Sequence, residues 1–282
     1  VSDNEIWLRG GRCWLRAMLS QWSGEERLHA NVLTPVLISG KQGLSKSTFC
    51  RLLMPDSLRH YFIDNLNLAA GSSPEKKLVK NGLINLDEFD KIKESQQATL
   101  KNLLQMVNVP VFRSKRLGWV NESRLASFIA TTNVYQVLID STGSRRFLCV
   151  EVLKPISEEP LEHKQIYAQL KEELKSGAPD YLNKEEEKAL QKHNKAYYRQ
   201  SLLEDVFHCC FRHPLETEKG IWLTTAEIFQ VMRKFNSAAL KEVSARQLGL
   251  KLSAMGYMAK HTSFGNRYYV FNLSAEKKDA SL

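Results

Sequence analysis

The sequence predicts an α/β fold: a mostly parallel sheet with helices on its faces, then a helical connector and a smaller C-terminal module. Three observations predict it. Short apolar runs alternate with helical stretches, as in parallel sheets with crossover helices. The first run leads through a glycine-bearing turn into a helix, "ISGKQGLSKSTFC" (residues 38–50). After Pro155 the texture changes to helices rich in Lys and Glu.

The chain has 282 residues, 43% of them hydrophobic and 25% charged, enough to bury a core as one large domain or two modest ones. No apolar run is long enough for a membrane span and no secretory signal opens the chain. The first residue is Val1 rather than Met, so a fragment of a longer protein is expected. Five scattered cysteines suit a reducing cytoplasm better than a disulfide framework. The net charge of +9 permits a polyanionic partner without proving one.

Residues 5–22 read as a helix, with Trp7, Trp14, Leu15 and Met18 among its apolar positions and Arg9, Arg12 and Arg16 on one face. Residues 32–39 read as a buried strand and 61–66 as a short one. "LINLDEFD" (83–90) is a buried strand ending in acids, and 93–107 is a helix. Residues 109–120 suggest a basic hairpin. "RLASFIATTN" (124–133) and "RRFLCVEV" (145–152) are two further strands. Helices follow at 162–176 and 183–212, separated by "SGAPD", where Gly177 and Pro179 act as stops.

The turn after the first strand carries chemistry. Gly40, Lys41, Gln42, Gly43, Leu44, Ser45, Lys46, Ser47 and Thr48 nearly match the Gly-x-x-x-x-Gly-Lys-Ser/Thr phosphate loop. Backbone N–H groups of such a turn cradle phosphate oxygens. Lys46 can reach the β- and γ-phosphates, and Ser47 is placed to ligate Mg²⁺. Ser45 stands where the pattern wants a second glycine, and its Cβ restricts the backbone. The rival reading is a plain strand–helix turn with an exposed lysine. Asp87 and Glu88 leave the next buried strand. One carboxylate there can hold Mg²⁺, and the other can polarise an attacking water. Thr131-Thr132-Asn133 closes a third strand, where an amide can sense a γ-phosphate. Strand ends are where open α/β sheets bind ligands. In "STGSRRF", Arg145 and Arg146 follow a small turn; a guanidinium there can stabilise transition-state charge, from a neighbouring subunit if need be. Each feature alone reads as an ordinary turn, cap or surface pair.

Together, "GKQGLSKSTF", "LINLDEFD", "SFIATTN" and "STGSRRF" resemble the virulence-associated E family, a branch of the superfamily 3 helicase-like ATPases with the AAA+ fold. The resemblance spans about residues 36–150, with similar helical texture to about 212. It implies ATP hydrolysis between subunits of a homo-oligomeric ring, with ATP and Mg²⁺ bound. It makes Lys46 and Ser47 the Walker A pair and Asp87 and Glu88 the Walker B pair. Asn133 becomes sensor 1, and Arg145 or Arg146 the arginine finger. Ser45 departs from the pattern and puts the turnover rate in question. In related ring helicases a hairpin between the second and third motifs points into the pore, so Arg113, Lys115 and Arg116 are expected on a DNA strand. Trp119 reads either as a base-stacking platform or as core.

The last part of the chain reads as two capped helices, one starting at Thr224 or Thr225 and one near Ser244, then a hairpin around Phe264-Gly265-Asn266. This order resembles a winged helix, with Arg246, Lys251, Lys260, His261 and Arg267 as expected DNA contacts, or else a protein-docking module. "HCCFRH" (208–213) reads as a packed helix end rather than a zinc site. The domains expected are 1–30, an N-terminal helical segment; 31–155, the ATPase core; 156–212, a helical connector; and 213–282, the winged-helix-like module. The leading functional expectation is a cytoplasmic, ATP-driven DNA motor, a replication helicase of a mobile element. A nucleotide-controlled DNA-binding scaffold with weak turnover and a P-loop kinase are the alternatives.

Overall fold

The computed structural model describes residues 1–24, 28–69, 71–139, 144–199, 202–215, 217–241, 243–263 and 265–273. The chain divides into two compact units, Val1–Arg199 and Gln200–Leu282.

The first unit opens with α1 (Asn4–Trp22), capped by Asp3, whose carboxylate accepts from the Ile6 N–H at 3.1 Å. Then come β1 (Thr34–Ile38), α2 (Lys46–Leu52), β2 (Phe62–Asp64), α3 (Glu75–Leu78) and β3 (Leu83–Leu86). They are followed by α4 (Glu94–Gln105), the hairpin β4 (Asn108–Ser114) and β5 (Gly118–Ser123), β6 (Ser127–Thr132) and β7 (Phe147–Glu151). Helices α5 (His163–Lys175) and α6 (Lys184–His193) complete it.

Five strands form one sheet in the order β2-β3-β6-β1-β7, every pair parallel. Parallel strands need both faces covered, which is why their sequences are near-continuous apolar runs. Side chains alternate between two cores. Val36, Ile84, Phe128 and Cys149 face one, with Leu100, Leu103 and Leu104 of α4. Leu37, Leu83, Ile129 and Leu148 face the other, with Trp14 and Met18 of α1. Helices α5 and α6, expected as a connector, pack on that second face: Leu190 joins its core, and the Tyr167 hydroxyl donates to Leu53 O at 2.7 Å. The three arginines of α1 face these helices. Arg9 pairs with Glu186, and Arg12 and Arg16 both pair with Glu173.

The structure corrects one long helix. Residues 183–212 are not continuous: α6 ends at His193, and the next helix begins at Leu202. Between them a 3₁₀ turn, Asn194–Tyr197, leads into a bridge to residues 137–138. Val137 N and Leu138 N each donate to Tyr197 O at 2.9 Å. Buried Asn194 donates to Ser144 O and Phe147 O, both at 2.8 Å, and so anchors the segment before β7.

The second unit contains α7 (Leu202–Cys210), β8 (Phe211–Arg212), β9 (Ile221–Thr224), α8 (Thr225–Phe235), α9 (Ala245–Ala254), β10 (Ala259–Thr262) and β11 (Gly265–Asn272). Strand β11 pairs antiparallel with β8, β9 and β10. Phe207, Phe211, Ile228, Met232, Leu248, Leu252, Tyr268 and Val270 form its core. Both predicted caps exist: Thr224 with Glu227 and Ser244 with Gln247 form reciprocal capping boxes. Phe264, at the predicted hairpin turn, lies outside the described residues.

Candidate functional site

Strands β3, β6 and β1 lie side by side and end together: Ile38 is in register with Thr132, and Leu86 with Ala130. Their C-terminal ends therefore deliver three loops to one place, where a cavity of about 360 Å³ opens. Gln42 to Thr48, Asp87, Glu88, Asp90 and Thr131 to Val134 line it.

The glycine-bearing loop is held by close contacts. A Cβ on Gly40 would stand 2.8 Å from the Tyr135 ring, so a larger residue there would have to push that ring aside. Tyr135 is held in turn by a 2.6 Å hydrogen bond from its hydroxyl to Glu151. Gly43 and Ser45 both adopt left-handed backbone, with φ of 75° and 58°. That conformation costs a residue with a Cβ about 1–2 kcal/mol. The Ser45 hydroxyl donates to Glu158 at 2.6 Å, and Ile156 N donates to Leu44 O at 3.2 Å, so the segment after β7 ties down the loop.

Lys46 is buried, only 8% exposed. Its ammonium donates to the Ser39 hydroxyl and to Asn133 Oδ1, the latter at 2.9 Å. Burial lowers its pKa below the usual lysine range, and the charge of Asp87 opposes that shift. Ser47 Oγ donates to Asp87 Oδ1 at 3.3 Å, and Thr131 Oγ1 donates to the same oxygen. Four expected residues thus line one cavity as two bonded pairs, Lys46 with Asn133 and Ser47 with Asp87. Glu88 lies at its edge, in left-handed backbone with φ of 51°, and its carboxylate pairs with Lys91 at 2.6 Å.

Arg145 and Arg146 are not brought to the cavity of their own chain. They precede β7, and the register pairs Phe147 with Thr34 at the opposite end of the sheet from Ile38. Arg145 pairs with Glu187 at 3.1 Å. The small turn before them, residues 140–143, lies outside the described residues. Sequence reasoning left Ser39, Asp90 and Glu158 without a role. The only signal for Asp90 was its place in "LDEFD", and Ser39 and Glu158 had none.

The β4–β5 hairpin leaves Trp119 71% and Phe112 48% exposed, packed edge to face at 5.7 Å. Trp119 is therefore not core. Arg113 pairs with Glu122 at 2.6 Å, and Lys115 and Arg116 are exposed in the turn. In the second unit, Arg246 is exposed at the start of α9. Lys260 and Arg267 stand directly opposite across β10 and β11, and the Glu227 carboxylate offsets the charge of Arg267. Lys251 differs from its expected role: its ammonium turns to Glu204 of α7 at 2.6 Å. No described helix is long and apolar enough to cross a membrane.

A family model described as the virulence-associated protein E-like domain matches residues 21–199, more than half of the chain. The chain belongs to the virulence-associated protein E-like family. The match ends where the first compact unit ends, at residue 199. A second model, described as a domain of unknown function from B. Theta (DUF3874), matches residues 200–270. Among curated proteins no relative matches. Solved structures with similarity include the apo structure of the NrS-1 C terminal region (305-718), 13% identical, with a TM-score of 0.42 over 95% of this chain and 72% of that one. The A form apo structure of the same region is 14% identical, with a TM-score of 0.41 over 93% of this chain and 70% of that one.

Proposed function

We propose that the first unit is a P-loop ATPase of AAA+ type and drives a DNA motor, serving replication of a mobile element. The observation that carries this reading is the convergence of Lys46, Ser47, Asp87 and Asn133 on one cavity at three adjacent strand ends. The donor set fits a triphosphate with its cation. Ser47 and Asp87 are hard oxygen ligands of the kind Mg²⁺ takes, with phosphates and waters supplying the rest. Bound there, Mg²⁺ would neutralise charge on the phosphates.

In this reading Lys46 leaves Ser39 and Asn133 for phosphate oxygens. Asn133, freed from Lys46, meets the terminal phosphate or its water. A carboxylate of residues 87–90, Glu88 by the sequence pattern, takes the water's proton. Arg145 or Arg146 serves the site of a neighbouring copy, since both lie at the far end of their own sheet. That arrangement demands a ring or another head-to-tail assembly. The hairpin residues Arg113, Lys115 and Arg116 hold a DNA strand by its phosphates, and Trp119 stacks on a base. The second unit is winged-helix-like and offers Arg246, Lys260 and Arg267 to DNA.

One observation favours the weak-turnover scaffold as a second reading: Ser45 is held by Glu158, which puts a carboxylate beside the phosphate loop. ATP turnover with and without single-stranded DNA tests the motor against it. The motor gives DNA-stimulated phosphate release in the wild type, lost in Lys46→Ala and Asp87→Asn. A wild type that binds ATP and releases no phosphate supports the scaffold.

A further inference from the structure

We propose that Glu158 is a positioning residue for the triphosphate: by accepting the Ser45 hydroxyl, it lets a serine stand where the phosphate loop wants glycine. The inference rests on the triphosphate reading of the cavity and assigns a residue that lies outside all four of its motifs.

Ser45 immediately precedes α2, in left-handed backbone with φ of 58° and ψ of 27°. Glycine takes that conformation freely, whereas a residue with a Cβ is strained in it. A serine there brings a second difficulty. At a helix start its oxygen ordinarily accepts from an N–H two or three residues on, here Ser47 or Thr48. Those are the donors that a phosphate loop offers to its ligand. The Ser45 side chain makes no such bond to its own helix. Its hydroxyl donates instead to Glu158 Oε1 at 2.6 Å. The clasp therefore does two things: it holds the left-handed backbone, and it keeps the serine from capping α2.

Glu158 is delivered by a segment that grips α2 at both ends. Val152 N donates to Ile38 O at 2.7 Å, where β1 ends. Ile156 N donates to Leu44 O at 3.2 Å, just before the clasp. Beyond it, the His163 Nε2 lies 2.7 Å from Leu52 O, and the Tyr167 hydroxyl donates to Leu53 O at 2.7 Å, both at the far end of α2. The carboxylate thus hangs from backbone anchored on either side of it. Glu158 is not among the residues lining the cavity, so its charge stands outside the phosphate cradle. Without it, Ser45 relaxes towards the extended backbone of an ordinary cap, and its oxygen competes with phosphate for the same N–H groups. With glycine at that position neither difficulty arises, and the clasp has nothing to correct.

The test is the Kd of a non-hydrolysable ATP analogue with Mg²⁺, in the wild type and in Glu158→Ala, Glu158→Gln, Ser45→Gly and the double variant Ser45→Gly with Glu158→Ala. Lys46→Ala serves as the control for the site, and thermal melts check that each variant folds. Glu158→Ala should weaken binding about three- to tenfold. Glu158→Gln, which keeps an oxygen to accept the hydroxyl proton, should recover part of that loss. Ser45→Gly should bind at least as tightly as the wild type, and adding Glu158→Ala to it should change affinity by less than about twofold. An unchanged Kd in Glu158→Ala overturns the proposal, and so does tighter binding, which would make Glu158 a charge that repels the phosphates. Equal losses from Glu158→Ala in the serine and glycine backgrounds, or no recovery in Glu158→Gln, also overturn it. In each of those cases weaker binding by Lys46→Ala leaves the triphosphate reading standing. A wild type that does not bind the analogue removes both.

Discussion

The cavity at the sheet's C-terminal edge and the tip of the β4–β5 hairpin are both built from polar side chains, yet they are assembled in opposite ways. In the cavity the lysine is buried and its bonds go to the chain's own Ser39 and Asn133. At the hairpin, Lys115, Arg116 and Trp119 stand out into solvent. A buried charge survives only with partners, and here the chain's own Ser39 and Asn133 supply them until a ligand takes their place. An exposed basic tip is sequence-blind and adaptable, and its attraction weakens with salt. The contrast is what a site for chemistry and a grip for a long polyanion each require.

The sharpest way to break the comparison is at Lys46. Lys46→Ala removes the one cation buried among the cavity residues, and turnover should fall at least about 100-fold with little change in DNA affinity. A loss of DNA binding without loss of turnover would reverse the roles of the two regions.

Next in size is the rivet at the hairpin's base. Arg124 is buried and donates to Ala126 O at 2.6 Å, Leu104 O at 2.8 Å, Leu103 O at 3.0 Å and Asn31 O at 3.1 Å. Arg124→Met leaves those carbonyls unsatisfied and should cost roughly 3 kcal/mol in urea melts. A change under about 0.5 kcal/mol would mean that the hairpin base has other support.

The hairpin tip sharpens the comparison from the other side. Replacing Arg113, Lys115 and Arg116 with Ala should weaken single-stranded DNA binding and flatten its salt dependence by a slope of about 2. Trp119→Ala should cost about 1–3 kcal/mol of DNA affinity at any salt. Fluorescence anisotropy across a salt series separates the two, and an unchanged slope in the triple variant excludes the tip from DNA.

The smallest effect lies between α1 and α5. Hydrogen bonding from Arg12 pulls the Glu173 carboxyl down to about 2. Its folded pKa is depressed, so the stabilisation is full above the unfolded value near 4.5 and fades as pH falls towards 2. Both side chains meet solvent, so the gain is under about 1 kcal/mol. The melting advantage of the wild type over Arg12→Ala should be present at about pH 6 and absent at about pH 2.

What the sequence made legible follows the same division. Strand ends, the glycine-bearing loop and the caps at Thr224 and Ser244 are local patterns, and each is where the residues predict it. Asp90 and Glu158 depend on partners 42 and 113 residues away, which no local pattern announces. Strand β9 is four residues that run straight into α8, too short to show an alternation of its own. Lys251 sits on a helix whose exposed face is clear only once Glu204 of α7 is packed beside it. Trp119 reads more readily as core, because an aromatic on a strand carries no sign of which side is wet, yet it is exposed.

The central claim is that the loop, Asp87 and Asn133 surround one triphosphate. Titration calorimetry with Mg²⁺ and a non-hydrolysable ATP analogue tests it most directly. The account predicts Mg²⁺-dependent binding at one site per chain, weakened at least about tenfold by Lys46→Ala. No heat of binding in the wild type, or equal affinity in both proteins, would contradict it.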